Sequence, residues 1–206
     1  MKNKNKNKNN GNAQLTLPKE QVDSVIGLYS SGKISEAIDA IKALNENYPN
    51  VPLLFNLLGA CYNNLGQLDA AVQMFKTAFE IKPDYAEAYF NHGISLKGLA
   101  ELELAVISYK KAIRLIPNYP EAHNELGIVY IDLNQYDNAI EHFEWAVAYK
   151  PDFAEAYNNL GVAHRENSQI QNAIKNFEKA ISINPSYTLA LSNLKNVSEE
   201  LQQKDG

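Results

Sequence analysis

The chain has 206 residues, 45% hydrophobic and 21% charged, with a net charge of −5; this suits a folded soluble protein and excludes a wholly disordered one. The acidic balance argues against a nucleic-acid groove, which needs a clustered basic face, and no apolar run approaches the roughly 18–20 residues of a membrane span. A single cysteine, Cys61, excludes an internal disulfide, and no apolar segment follows the basic N-terminus as a secretory signal requires, so a cytoplasmic protein is expected, without nucleic-acid, membrane or cofactor partners.

Residues 1–17 begin MKNKNKNKNNGN, a low-complexity run with no apolar residue after Met1 to bury, and are expected to be disordered. Lys2, Lys4, Lys6 and Lys8 put four positive charges there, so the rest of the chain is more acidic than its net charge shows. Two readings of this tail stand: a solubilising extension, or a basic arm for an anionic surface. From Pro18 onward apolar residues recur at the 3-and-4 spacing of helices. Residues 18–51 read as two helices around Ser31-Gly32, with Val25 and Ile41 at positions that later become glycine and aromatic.

The pattern then repeats every 34 residues, over 52–85, 86–119, 120–153 and 154–187. Gly59, Gly93, Gly127 and Gly161 form one column, and Ala71, Ala105, Ala139 and Ala173 another. Phe75, Tyr109, Phe143 and Phe177 make a third, and Ala78, Ala112, Ala146 and Ala180 a fourth. Such a period means stacked helix pairs, each hiding its apolar face against the next. The small columns let the two helices of a pair lie close together. Asp84 with Glu87, Asn118 with Glu121, and Asp152 with Glu155 are expected to form capping boxes at the first helices. Lys82, Arg114 and Lys150 sit near second-helix ends, each followed by a proline that cannot continue the helix. Residues 188–206 hold one more helix, about Thr188 to Gln203, with Leu191, Leu194 and Leu201 expected on its buried stripe. It carries Lys195 in the glycine column, because a lone first helix has no second helix to approach. It reads as a solvating cap, and the chain is expected to be complete at that end.

Phe55, Leu58, Gly59, Tyr62, Ala71, Phe75, Ala78 and Pro83, with their copies at +34, resemble the tetratricopeptide repeat (TPR) signature. The resemblance covers the chain from about Pro18 to its end. It implies an all-α fold: a right-handed α-solenoid of antiparallel helix pairs, with a degenerate first repeat over 18–51, four full repeats and a C-terminal capping helix.

No catalytic constellation is visible. His92, His123, His142 and His164 fall in different slots of the repeat and read as packing residues, none paired with a second His or Cys at metal-ligand spacing in sequence. Cys61 has no neighbouring base and reads as an inert thiol. The chain is therefore expected to be neither an enzyme nor a metalloprotein.

In the TPR family the first helices line a concave groove for peptide segments. Matching its positions repeat by repeat gives a lining that includes Asn56 and Asn63; Glu87, Phe90, Asn91 and Lys97; Asn124, Glu125 and Asp132; and Glu155, Asn158, Asn159 and Arg165. Each full repeat has an Asn at the fifth or sixth groove-helix position. An amide both donates and accepts, so a row of them would grip an extended backbone without reading its side chains. That resembles the asparagine ladder in the TPR arm of O-linked N-acetylglucosamine transferases. The match is partial: Leu57 and Glu125 replace two rungs, and Asn56 and Asn124 sit one residue earlier, about 100° round the helix. The alternative is that Asn is simply common before Leu-Gly in this family. Acids outnumber Lys97 and Arg165 along the lining, which favours a neutral or basic, extended partner and counts against a carboxylate clamp. Trp145 stands in a second-helix column that elsewhere carries Thr77, Lys111 and Lys179. It is either an anchor for a second interface or is covered by its own neighbours.

The reading is a non-enzymatic scaffold that binds protein segments in its concave face. The alternatives are a substrate-recruiting arm for a glycosyltransferase-type or other enzyme whose catalytic domain lies outside this chain, and a self-assembling structural module. Partner identity and oligomeric state are not legible.

Overall fold

A computed structural model of the chain describes residues 17–205. Among these residues the secondary structure is eleven helices and no strand. In order they are α1 (Lys19–Ser30), α2 (Ile34–Asn47), α3 (Pro52–Asn64), α4 (Leu68–Ile81), α5 (Ala86–Gly98), α6 (Leu102–Leu115), α7 (Pro120–Asp132), α8 (Tyr136–Tyr149), α9 (Ala154–Glu166), α10 (Ile170–Ile183) and α11 (Thr188–Asp205). The fold is an all-α repeat solenoid. The expectation of a disordered tail falls on residues outside the described range, apart from Leu17, which packs against the first core cluster.

Each odd-numbered helix from α1 to α9 packs most extensively on the even helix that follows it, and α11 on α10 before it. Odd helices also touch the next odd helix (α3 with α5, α5 with α7, α7 with α9, α9 with α11), whereas successive even helices have no comparable contact. The first helices therefore crowd together on one side of the stack and the second helices splay on the other, which creates an inner and an outer face.

The close approach within each pair comes from the glycine column. A Cβ on Gly59, Gly93, Gly127 or Gly161 would lie 2.6–2.7 Å from the nearest ring atom of Phe75, Tyr109, Phe143 or Phe177 respectively, inside van der Waals contact. The alanine columns are wholly buried on the facing helix. In the first pair the sizes are redistributed: Val25 and Ile41 are both buried in the glycine and aromatic slots, a branched side chain filling the room that a smaller partner leaves.

The turn inside each pair uses one backbone trick five times. Gly32, Gly66, Ala100, Asn134 and Ser168, spaced by 34 residues, all have φ between 57° and 76°. The left-handed residue reverses the chain in so few residues that the next helix can start at once.

Two local expectations are corrected. No capping box forms: the N-cap positions of α5, α7 and α9 are Tyr85, Tyr119 and Phe153, and none has a side-chain cap bond. These helices begin later than the acid-to-Glu spacing implied. Asp84 and Asp152 thus lie outside the helix, and their backbone carbonyls accept the N–H of Ala86 and Ala154. In α11 the fully buried residues are Ala190 and Val197, while Leu191 is exposed and Leu194 and Leu201 are half-buried. The stripe runs 190, 194, 197, 201, one residue from the expected leucines at its start.

Candidate functional site: the inner face of the first helices

The asparagines of the first helices divide into two layers. Asn56, Asn124 and Asn158 are buried, at 2%, 2% and 5% exposure. Asn91 and Asn159 are half-buried beside them. Asn91 Nδ2 donates to Asn56 Oδ1 at 3.1 Å, and Asn159 Nδ2 donates to Asn124 Oδ1 at 3.0 Å. A third pair of the same kind joins Asn193 Nδ2 to Asn158 Oδ1 at 2.9 Å. Each pair spans 35 residues, from the fifth position of one first helix to the sixth of the next. The buried amides are thus spent on the neighbouring repeat, and Asn56, Asn124 and Asn158 do not line an open groove as the sequence reading placed them. One residue of offset turns the side chain from the open face into the seam between helices.

The orientation of the first pair is fixed by charge. Asn56 Nδ2 donates to Glu87 Oε1 at 3.1 Å, and a carboxylate only accepts. Asn56 must therefore turn its oxygen to Asn91. Asn91 spends one N–H on it and keeps its other N–H and its Oδ1 without a side-chain partner among the described residues. Asn63 accepts from the Ser95 hydroxyl at 3.2 Å, a further tie between α3 and α5.

Between these polar ties the fifth and sixth positions hold Phe90 and Glu125 instead. Phe90 packs in tilted geometry on Tyr119 and Tyr109, with centroids 5.0 and 5.9 Å apart. Glu125 pairs with Lys97 across the α5–α7 seam. Arg165 is held by Glu166 of its own helix at 2.7 Å. Both cations of the inner face are therefore neutralised locally, while Glu87, Asp132 and Glu155 are exposed. Lys150 reaches Glu121 at 3.1 Å and lies 4.6 Å over the Phe153 ring.

Sequence reasoning missed Tyr85, Tyr119 and Tyr187, which stand just before first helices and lean toward this acidic row. Burial, and then Glu87, pushes the Tyr85 phenol up to about 12. Burial, then Glu87 and Glu121, does the same for Tyr119. The signal was present in the sequence as an aromatic column at 85, 119, 153 and 187. Asn193 was missed because its helix read only as a cap.

On the outer face, Trp145 is 45% exposed and stacks on Tyr149 at 5.6 Å. The structure also brings together two histidines that the sequence kept apart. His123 Nε2 lies 3.1 Å from the Pro117 carbonyl, and its Nδ1 lies 3.1 Å from His142 Nδ1. Since Nε2–H must donate to the carbonyl, His123 Nδ1 accepts from His142 Nδ1–H, and both rings are neutral. Burial pushes His142 down to about 4, with His123 and Lys110 adding to the effect. His92 is likewise held at about 4 by burial, then Lys76, and its Nδ1 lies 2.9 Å from the Ser108 hydroxyl. Among the described residues no three metal-ligating side chains converge. Nor is any described helix long and apolar enough to cross a membrane. Cys61 is buried, and burial raises its thiol.

Two family models match the chain: one described as tetratricopeptide repeat, over residues 124–188, and one described as TPR repeat, over residues 59–99 and 101–133. No curated protein matches it. Among solved structures, MamA is similar at 28% identity and a TM-score of 0.73, over 80% of this chain and 96% of that one. YrrB, described as a TPR protein with an unusual peptide-binding site, is similar at 23% identity and a TM-score of 0.71, over 85% of this chain and 90% of that one. MamA from Desulfovibrio magneticus RS-1, from residue 41 to its end, aligns at 20% identity and a TM-score of 0.74, over 84% and 99%. The last two show likeness of fold alone.

Proposed function

We propose that this chain, which belongs to the tetratricopeptide repeat family, is a non-catalytic scaffold that holds extended segments of partner proteins on its inner face. The observation that supports this most directly is the pinned amide of Asn91, oriented by Asn56 and Glu87 with a donor and an acceptor to spare. Asn159 is likewise pinned two helix pairs later, donating to Asn124 Oδ1, but its own Oδ1 accepts from Asn158 Nδ2 at 3.4 Å, so it keeps only an N–H to spare. A peptide backbone offers alternating N–H and C=O groups, which such amides meet without reading side chains. Because the side chains are already fixed, little order is created on the protein side when a segment docks. Lys97 and Arg165 are tied to Glu125 and Glu166, so the charge left for a partner is that of Glu87, Asp132 and Glu155. A neutral to basic segment fits that field.

The test uses the full chain and peptides enriched on it from a displayed random library. Asn91→Ala combined with Asn159→Ala should weaken neutral-to-basic peptides by roughly 10- to 100-fold, the loss of two hydrogen bonds of about 1 kcal/mol each or somewhat more. Lys175→Glu with Lys179→Glu, on the exposed side of α10, should leave them unchanged. Circular dichroism melting controls for the loss of the Asn56 and Asn124 partners. Equal weakening by both double variants would refute the inner-face assignment.

A further inference from the structure

The splayed second helices α4 and α6 leave a trough on the outer face, floored by α5, with a volume of about 590 Å³. Its floor is apolar and aromatic: Phe79 stacks flat on Tyr89 at 4.2 Å, and His92 packs edge-on against Phe79. Leu104 and Ile107 of α6 form the apolar wall, 48% and 63% exposed. Lys110, Lys111 and Arg114 line the trough too, and no carboxylate does. None of the three cations is in an ion pair among the described residues.

The repeat register shows that this is specific to one helix. At the Leu104 slot the sibling helices carry Ala70, Asn138 and Asn172, and at the Ile107 slot Gln73, Glu141 and Lys175. At the three cationic slots α4 has Lys76, Thr77 and Glu80, α8 has Glu144, Trp145 and Ala148, and α10 has Glu178, Lys179 and Ser182. Packing within the solenoid is served equally well by those polar sets, so the fold does not require two exposed aliphatics beside three like charges. In the next outer groove the equivalent floor and wall slots hold the contacting His123–His142 pair and Trp145 instead. Among the described helices, only between α4 and α6 does the register leave an apolar trough with a basic rim, on a protein of net charge −5.

From this we infer that the α4–α6 trough is a second docking site, taking a partner segment that carries apolar side chains flanked by carboxylates. Leu104, Ile107 and the Phe79–Tyr89 stack receive the apolar side chains, and Lys110, Lys111 and Arg114 the carboxylates. The site is opposite in charge preference to the inner face, so the two faces would sort different partners. An exposed apolar patch rimmed by charge is the usual form of an interaction site.

The experiment pans the full chain against a displayed random-dodecamer library and measures enriched peptides by fluorescence anisotropy. A peptide class that pairs Leu, Ile or Phe with Asp or Glu is expected. Its Kd should rise about tenfold or more in Ile107→Glu and in Lys111→Glu/Arg114→Glu, and should weaken with added salt. Lys175→Glu, which changes the Ile107 slot of α10, and the Asn91→Ala/Asn159→Ala pair should leave it unchanged. Ile107 lies outside the core, so the variants should melt with the parent. Four results would overturn the proposal: no such class is enriched, the class binds Ile107→Glu undiminished, the peptides that occupy the trough are basic, or light scattering shows dimers that Ile107→Glu dissolves, meaning that a second copy fills the trough. Loss of acidic-apolar binding with inner-face binding intact separates this site from the inner-face reading.

Discussion

Tyr109 fills the slot that Phe75, Phe143 and Phe177 fill elsewhere, its ring against Gly93 as theirs lie against Gly59, Gly127 and Gly161. Its hydroxyl is the one atom by which it differs from them, and that oxygen is fully buried with no hydrogen-bond partner. Burial, and then Glu125, raises the phenol further from ionisation, so the group stays neutral and simply unsatisfied. Leaving such a hydroxyl in the core costs about 1–3 kcal/mol. Tyr109→Phe keeps the ring and removes the cost, and should stabilise the protein by about 1 kcal/mol, read as a higher urea midpoint at unchanged slope. A lower midpoint would mean that the oxygen contributes a bond. The asparagines show the same sensitivity to one atom or one residue. Asn56, Asn124 and Asn158 differ from Asn91 and Asn159 by a single step along the helix, yet the first three are buried between repeats. Their role was legible only in pairs, because 56 and 91, 124 and 159, and 158 and 193 are each 35 apart. A reading that compared residues strictly 34 apart passed over it.

At the level of the turn, five residues in one slot share a left-handed backbone, but only Gly32 and Gly66 are suited to it. A side chain there costs about 1–2 kcal/mol from the clash between Cβ and the carbonyl. Asn tolerates this region better than most residues, and Asn134 Oδ1 also accepts from the Tyr136 hydroxyl at 2.8 Å; Ala100, with φ 59°, has no such compensation. Ala100→Gly should therefore stabilise by about 0.5–1 kcal/mol after the extra chain entropy of glycine is counted. Thermal melting checks it, and a lower Tm would show that the turn is not strained. Helix pairing and the core columns were readable because each side chain is defined by its own 34-residue echo. Helix starts were not. The acid at Asp84 or Asp152 looks like a cap in sequence, but Tyr85 and Phe153 take the cap position so that their rings can pack, and packing outweighs a cap bond worth about 1 kcal/mol. The first leucine of the α11 stripe was misplaced for a related reason: small Ala190 is what fits beneath α10, and Leu191 is left outside.

Across the whole molecule each helix pair is stabilised by its neighbours alone, so a local weakening in the middle of the stack is felt along it. His92, His123 and His142 all lie in the two central layers, on α5, α7 and α8. Each is neutral in the fold, with burial holding its pKa down, to about 4 for His92 and His142. In the unfolded chain the same rings titrate near 6.5. Above that pH both states are neutral and the histidines do not bias folding. As the pH falls below it, the unfolded chain takes up protons that the folded chain refuses, so stability is lost progressively from about 6.5 toward about 4. Each half-buried histidine should contribute a loss on the order of 1 kcal/mol between pH 7 and 5, with water screening part of the penalty. His142→Asn borrows the residue that α10 carries in that slot (Asn176), and His92→Leu the residue of α7 and α9 (Leu126 and Leu160). Urea denaturation at pH 7 and pH 5 should show a smaller drop in either variant than in the parent, with the carboxylates still largely ionised and so common to all three. An identical drop would place the acid sensitivity outside the outer-face histidines. A smaller drop in both would locate it in the layers that floor and flank the α4–α6 trough, so that mild acid would loosen the outer face first while the inner seam, tied by asparagine pairs that do not titrate, persists.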